Sequence, residues 1–210
     1  MKPRSTTVDP STRPKLAPRH GRALPGEVRI IGGLYKRSKL PVSDRPGLRP
    51  TPDRVRETLF NWLGQDLSGW RCADVFAGTG ALGFEAASRG ATEVVMCEND
   101  AQLVLKLKTF QEKLKAPVRV ERGDGVSLLR RLTPGSQQLV FIDPPFDSSL
   151  FEPALAAAAK AVAEPGFVYL EAPRAYTPEE LAALGLEIHR SGKAGAVHFH
   201  LLVRTQSGAA

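Results

Sequence analysis

The sequence predicts an α/β fold: a doubly wound, mostly parallel seven-stranded sheet, preceded by a small N-terminal β-hairpin and helix extension. Three observations predict it. From Trp70 onward, short apolar β-type runs alternate with amphipathic helical runs, and repeated βα units with right-handed crossovers give a parallel sheet. Residues Cys72 to Gly90 read as strand, glycine turn and helix, the opening of a nucleotide-type site. Acids recur where the predicted strands end, and ligands of open α/β sheets bind at the carboxyl ends of strands.

Residues 1–26 are rich in Pro, Arg, Ser and Thr and are expected to form a disordered basic tail. Residues 27–64 form the extension. There, Val28 to Gly33 and Leu34 to Val42 read as a hairpin, with Arg37 and Lys39 exposed near its return strand. Leu48-Arg49-Pro50 is extended, as a residue before proline requires. Thr51 suits a helix N-cap and Pro52 the first helical position. That helix runs to about Leu63, with Val55, Leu59, Trp62 and Leu63 on its apolar stripe. Arg54 and Arg56 sit where a cation does not help the helix dipole. Phosphate contact and surface pairing with Asp53 or Glu57 both account for them.

Residues 65–205 hold the main domain. Its strands are Arg71–Phe76, Glu93–Cys97, Pro117–Glu121, Gln138–Ile142 and Gly166–Glu171, with Leu186–Arg190 and Val197–Val203 as a final antiparallel pair. Helices fill the gaps at Ala81–Arg89, Ala101–Lys115, Val126–Leu132, Leu150–Ala163 and Pro178–Leu184.

Composition narrows the function. The net charge of +7 is unevenly placed. Residues 1–60 carry 14 Lys and Arg against 5 Asp and Glu, a balance of +9, whereas the remaining 150 carry 15 against 17, a balance of −2. A basic end on a near-neutral domain points to a polyanion partner such as nucleic acid, or else to a solvated tail. No apolar run approaches the ~20 residues of a membrane span, and no secretory h-region follows Met1, so the expected location is the cytoplasm. Cys72 and Cys97 fall in apolar strands and read as buried thiols. His198 and His200 share a strand face without zinc-ligand spacing, so no metal is expected.

The glycine turn is Ala77-Gly78-Thr79-Gly80. Its glycines admit positive φ and close approach of a ligand, and Gly78-x-Gly80-x-x-Gly83 alone also fits a dinucleotide site. Asp74 lies inside an apolar strand, where a carboxylate is costly without a partner. Glu98, with Asn99 beside it, follows the turn by about 20 residues, the spacing of an acid on a ribose diol. Asp124, between Gly123 and Gly125, suits an exocyclic amine or a helix N-cap equally. Asp143-Pro144-Pro145-Phe146 is the sharpest motif. Two prolines remove two N–H donors, which leaves the Asp143 carboxylate and the Pro144 carbonyl as acceptors beside an aromatic ring. That set suits an amine on a flat heterocycle.

These motifs resemble those of class I S-adenosylmethionine-dependent methyltransferases, which are Rossmann-like, and Asp143–Phe146 resembles the (Asp/Asn)-Pro-Pro-aromatic motif of amine methyltransferases. More narrowly, Arg29–Gly33, Leu48–Thr51, Asp53–Leu63, Phe76–Gly83 and Asp143–Phe146 resemble the bacterial family that methylates the N2 amine of a guanine in 16S ribosomal RNA, the guanine-966 family. The resemblance implies S-adenosylmethionine as cofactor, held by Asp74, Ala77, Gly78, Thr79, Gly80, Glu98, Asn99, Asp124 and Gly125. It implies Asp143 and Pro144 as the catalytic acceptors. Phe146 and Pro145 would lie against the base, with Arg37, Lys39, Arg49, Arg54 and Arg56 on the RNA. The implied partner is 16S ribosomal RNA in an assembled or assembling small subunit. An adenine-N6 methyltransferase, a non-catalytic assembly factor and an NAD-dependent oxidoreductase remain as alternatives.

Overall fold

Two short strands, β1 (Glu27–Arg29) and β2 (Lys39–Pro41), pair antiparallel as a hairpin of their own. The first helix, α1 (Asp53–Trp62), follows. The chain then alternates as the sequence predicts, through β3 (Arg71–Asp74), α2 (Ala81–Ser88), β4 (Glu93–Glu98), α3 (Ala101–Leu114), β5 (Val118–Arg122), α4 (Gly125–Arg131), β6 (Gln137–Ile142), α5 (Phe151–Ala161) and β7 (Val162–Ala172). It ends with α6 (Pro178–Ala182), β8 (Leu186–Ala194) and β9 (Val197–Arg204). The computed structural model describes residues 26–42 and 50–205, so the basic tail up to residue 25 and Arg49 lie outside the described residues.

The central sheet has the order β5-β4-β3-β6-β7-β9-β8. The pairs among β3 to β7 are parallel, and β9 runs antiparallel to both neighbours. Alternate residues of each strand feed two cores. Cys72, Val94 and Phe141 join the layer of α1, α2 and α3, whereas Ala73, Val95 and Val140 join that of α4, α5 and α6. The strand order reverses where β3 lies between β4 and β6, and open α/β sheets place ligands at such a switch point.

A buried carboxylate fastens the extension to this sheet. Glu85, on α2, is fully buried. Its Oε2 accepts the Ile31 amide at 2.8 Å and the Arg56 guanidinium at 3.2 Å. Its Oε1 accepts the Gly32 amide at 2.8 Å and Arg89 Nε at 2.9 Å. Arg56 also donates to Asp53 Oδ1 at 2.7 Å and to the Arg29 carbonyl at 2.8 Å. Arg89 lies over the Phe60 ring, 4.6 Å from its centroid. Beside this cluster, the Leu34 amide donates to the Ser88 carbonyl at 2.7 Å. Gly33 sits there at φ +73°, and a Cβ on it would lie 1.8 Å from the Ser88 carbonyl oxygen. Only glycine fits.

Three expectations for the extension are corrected. The strands of the hairpin are shorter than the apolar runs, because Ile30 closes onto Arg37 and Ser38 and the amides of Ile31, Gly32, Leu34 and Tyr35 turn onto α2 instead of extending the ladder. Thr51 does not cap α1. Pro52 occupies the N-cap without a side-chain bond, and the Thr51 hydroxyl donates to Glu171 Oε1 at 2.7 Å. Arg56 is not on the surface. Its guanidinium is consumed by Glu85, Asp53 and backbone carbonyls.

Removal of Glu85 would leave two buried guanidinium groups without their shared anion. Glu85→Ala is expected to destabilise the protein by about 3–5 kcal/mol in urea denaturation. A loss below about 1 kcal/mol would contradict the role given to this cluster.

Candidate active site

The carboxyl edge of the sheet gathers acids from adjacent strands. β3 ends on Asp74, two residues of β4 beyond its partner Met96 bring Glu98, and two beyond its partner Phe141 on β6 bring Asp143. Glu98 in turn pairs with Arg122, which places Asp124 two residues further on. On the other side, Ile142 pairs with Leu170, so Asp143 is the lateral neighbour of Glu171.

The glycine turn rises from β3. The Ala77 amide donates to the Cys97 carbonyl at 2.9 Å. Gly78 has φ 51°, and its amide donates to Glu98 Oε2 at 2.9 Å. Gly80 is the left-handed N-cap of α2 and, as glycine, caps it with no side chain of its own. A Cβ there would meet Leu107 and Phe84 at 2.6 and 2.7 Å. Thr79 is partly exposed at this rim. Gly125 begins α4 against the Val75 carbonyl oxygen, 2.1 Å from where a Cβ would stand. The turn is therefore held open by small residues on both sides.

Each acid has a distinct setting. Asp74 is 3% exposed, and its Oδ2 accepts the Gly83 amide at 3.0 Å. Burial pushes its carboxyl up to about 7, and the nearby Glu98 and Glu171 add to this against the Gly83 bond. Glu98 also accepts the Asp100 amide at 2.9 Å through Oε1. Two of the roughly four acceptor positions of a carboxylate are thus used. Asp124 is the N-cap of α4 and accepts the Ser127 amide at 2.7 Å; the Ser127 hydroxyl first, and then this amide, hold it below the usual carboxylate range. Its exposed side chain keeps a second oxygen for another donor. Asn99 is exposed, and its carbonyl accepts Arg122 Nε at 3.3 Å.

Asp143 is half-buried where β6 ends. Burial, then Glu171 and Asp74, push it well above the ordinary carboxylate range. Pro144 is buried and Pro145 exposed. The Phe146 ring is 41% exposed, one of three large apolar side chains so placed among the described residues. Sequence reasoning missed Glu171, which is 4% exposed and accepts hydroxyls of Thr51 and Tyr169. The same signal, an acid closing a predicted strand, would have found it.

The basic candidates do not enter this cradle. Arg37 is exposed at φ 72°, and Lys39 is exposed and paired with Glu27 at 2.8 Å. Arg54 is exposed on α1. A cleft of about 460 Å³ lies apart from the acids, between the hairpin loop and α1, with Lys36, Glu57, Asn61 and Arg89 among its walls. The acid cradle carries the better chemistry, because it alone joins an open helix N-terminus, glycine turn and acceptors. Among the described residues no group of His, Cys, Asp or Glu is arranged to hold a metal ion, and no helix is long and apolar enough to cross a membrane.

The raised Asp74 carboxyl makes a stability prediction. Its folded value of about 7 exceeds the unfolded value near 3.9. Between those limits the folded state binds the proton more tightly, so stability falls as pH rises through the window. Asn is neutral and still offers an oxygen to Gly83. Asp74→Asn is expected to gain roughly 2–4 kcal/mol at pH 8 relative to the parent and little at pH 4, read from denaturation midpoints. A variant no more stable at pH 8 would contradict this setting for Asp74.

Known proteins share this architecture. The family described as conserved hypothetical protein 95 matches residues 28–203. The ribosomal RNA small subunit methyltransferase D of Escherichia coli K12 is 40% identical over 187 residues, covering 87% of this chain and 93% of that protein. The protein of the same name from Haemophilus influenzae is 46% identical over 134 residues, 62% of this chain and 69% of its own. The solved structure of the Escherichia coli protein yhhF aligns with a TM-score of 0.73 at 38% identity, over 85% of this chain and 98% of that one. With the parallel sheet, glycine turn and acidic strand ends in place, the chain belongs to the ribosomal RNA small subunit methyltransferase D family and is a class I methyltransferase by fold.

Proposed function

We propose that this protein transfers a methyl group from S-adenosylmethionine to the N2 amine of one guanine, guanine 966 by family, in 16S ribosomal RNA. The carrying observation is the Asp143–Phe146 segment. It offers acceptors without competing donors, beside an exposed ring, at the end of β6 next to the glycine turn. A relative 40% identical over 93% of its own length bears the name of a ribosomal RNA methyltransferase, which supports the reading.

The cofactor fits the cradle as built. Gly78, Thr79 and Gly80, with Ala77, leave space beside the α2 N-terminus for the methionine end, and Asp74 lies beneath. Glu98, with Asn99 beside it, has acceptor capacity left for ribose hydroxyls. Asp124 and Gly125 border the place of the adenine, whose amine Asp124 would accept. The sulfonium supplies an already electrophilic methyl group. The chain's own residues therefore orient the acceptor, and orientation carries most of the rate. The guanine leaves its stack to enter. Asp143 and the Pro144 carbonyl take the two amine hydrogens, which turns the nitrogen lone pair away from the ring plane, and Phe146 on Pro145 covers the base face.

The extension supplies the RNA side. Leu34, 81% exposed, projects beside Lys36 and Arg37 on the hairpin loop, and Arg54 projects from α1. Arg37, Lys39 and Arg54 contact phosphate in this reading, while Arg56 instead holds the extension in place. The small subunit, assembled or assembling, is the partner that presents the guanine.

Labelled methyl transfer to unmethylated small subunits, naked 16S ribosomal RNA, tRNA and duplex DNA tests this, with nucleoside digestion of each product. The expected label is on N2-methylguanosine from the small subunit. Label on N6-methyladenine would overturn the substrate, and no label with cofactor bound would overturn the enzyme. Asp143→Ala is expected to lose more than 99% of transfer, about 3 kcal/mol of transition-state stabilisation, while still binding S-adenosylmethionine in calorimetry.

A further inference from the structure

Glu171 has no part in the proposed function, yet it is a buried acid held by two hydroxyls. It closes β7 beside Asp143, by the Ile142–Leu170 register. Its Oε1 accepts the Thr51 hydroxyl at 2.7 Å and the Tyr169 hydroxyl at 3.0 Å. Thr51 belongs to the extension, 120 residues away in sequence. No described residue donates a hydrogen bond to the Asp143 carboxyl.

Two neighbouring carboxylates, one buried and one half-buried, do not both ionise cheaply. The groups facing them add no cation. Asp74 approaches from β3, Tyr169 from β7 itself and Thr51 from the extension. On β9, Phe199 pairs with Glu171, flanked by His198 and His200. Hydroxyl donors favour charge on Glu171, so Asp143 is left as the protonated member of the two.

We infer that Asp143 and Glu171 form a proton-sharing pair that carries one proton and one negative charge at neutral pH, with Glu171 as the positioning residue that lets Asp143 serve as acceptor. This rests on the amine-methyltransferase reading of Asp143. When an amine donates to Asp143, the shared proton moves onto Glu171. The amine nitrogen then bonds the methyl carbon while the carbon–sulfur bond breaks, its electron pair going to sulfur. The nitrogen, now positively charged, gives one proton to the remaining carboxylate. The pair is then neutral until that proton passes to water. Burial raises both acids, and the Thr51 and Tyr169 hydroxyls act against the rise at Glu171.

The test is a carboxyl-carbon NMR titration of the full chain without ligands, alongside the pH profile of kcat/KM. The pair is expected to titrate in two steps, with Asp143 in the upper one, and kcat/KM is expected to show an inflection at that upper midpoint. Glu171→Gln keeps an oxygen for both hydroxyls. It is expected to lower the Asp143 midpoint by about one pH unit or more and to erase the upper inflection. A purely structural role would lower kcat/KM equally at every pH. One ordinary step near pH 4 for both acids of the parent protein overturns the inference even if the variant does not fold. So does an Asp143 midpoint unchanged by Glu171→Gln. Two-step titration in a protein that methylates no RNA would instead spare the pair and overturn the amine reading on which its role rests.

Discussion

The carboxylate of Glu85 is the contact on which the arrangement turns. It sits on the helix that follows the glycine turn, and it takes hydrogen bonds from the hairpin loop, from α1 and from its own helix. Two arginines balance one buried acid, and Asp53 and backbone carbonyls take the remaining donors. A buried ion cluster adds little net stability over a well-packed apolar core, but breaking one member is costly. What it adds is position. The hairpin extension and the helix after the glycine turn share one anchor.

The acids at the carboxyl edge obey the opposite logic. Asp74, Asp143 and Glu171 are crowded with no cation among the groups acting on them. Each would be more at ease neutral. In the proposed reading that unfavourable electrostatics would be matched to the ligands, because a sulfonium is positively charged and an exocyclic amine brings donors. On that reading a bound cation or donor would relieve the crowding, as in other acceptor-rich sites.

The fold was legible in the sequence because the strands of a parallel sheet, buried on both faces, read as apolar runs with helical runs between them. Asp74, Glu98 and Asp143 stood out because a carboxylate next to such a run asks for a reason. Gly78 and Gly80 stood out through their spacing. Pairings distant in sequence were not legible. Nothing local shows that Arg56 meets Glu85 or that Thr51 meets Glu171, since separations of 29 and 120 residues are closed only by the tertiary fold. Thr51 before Pro52 carries every local sign of a helix cap, and tertiary contact overrode it. Arg56 carries every local sign of a surface cation, and burial overrode that. Asp124 remained ambiguous in sequence because one carboxylate has enough acceptor positions to cap a helix and still meet a ligand.

Hydrogen exchange of backbone amides tests the shared anchor most directly. The amides of Ile31, Gly32, Leu34 and Tyr35 bond to Glu85 or Ser88 of α2. If hairpin loop and α2 form one unit, these amides exchange only through the opening that also releases α2, with the same protection as Phe84 and Arg89. Exchange of the loop amides at the rate of an unstructured peptide, with α2 and β3 still protected, would contradict the account.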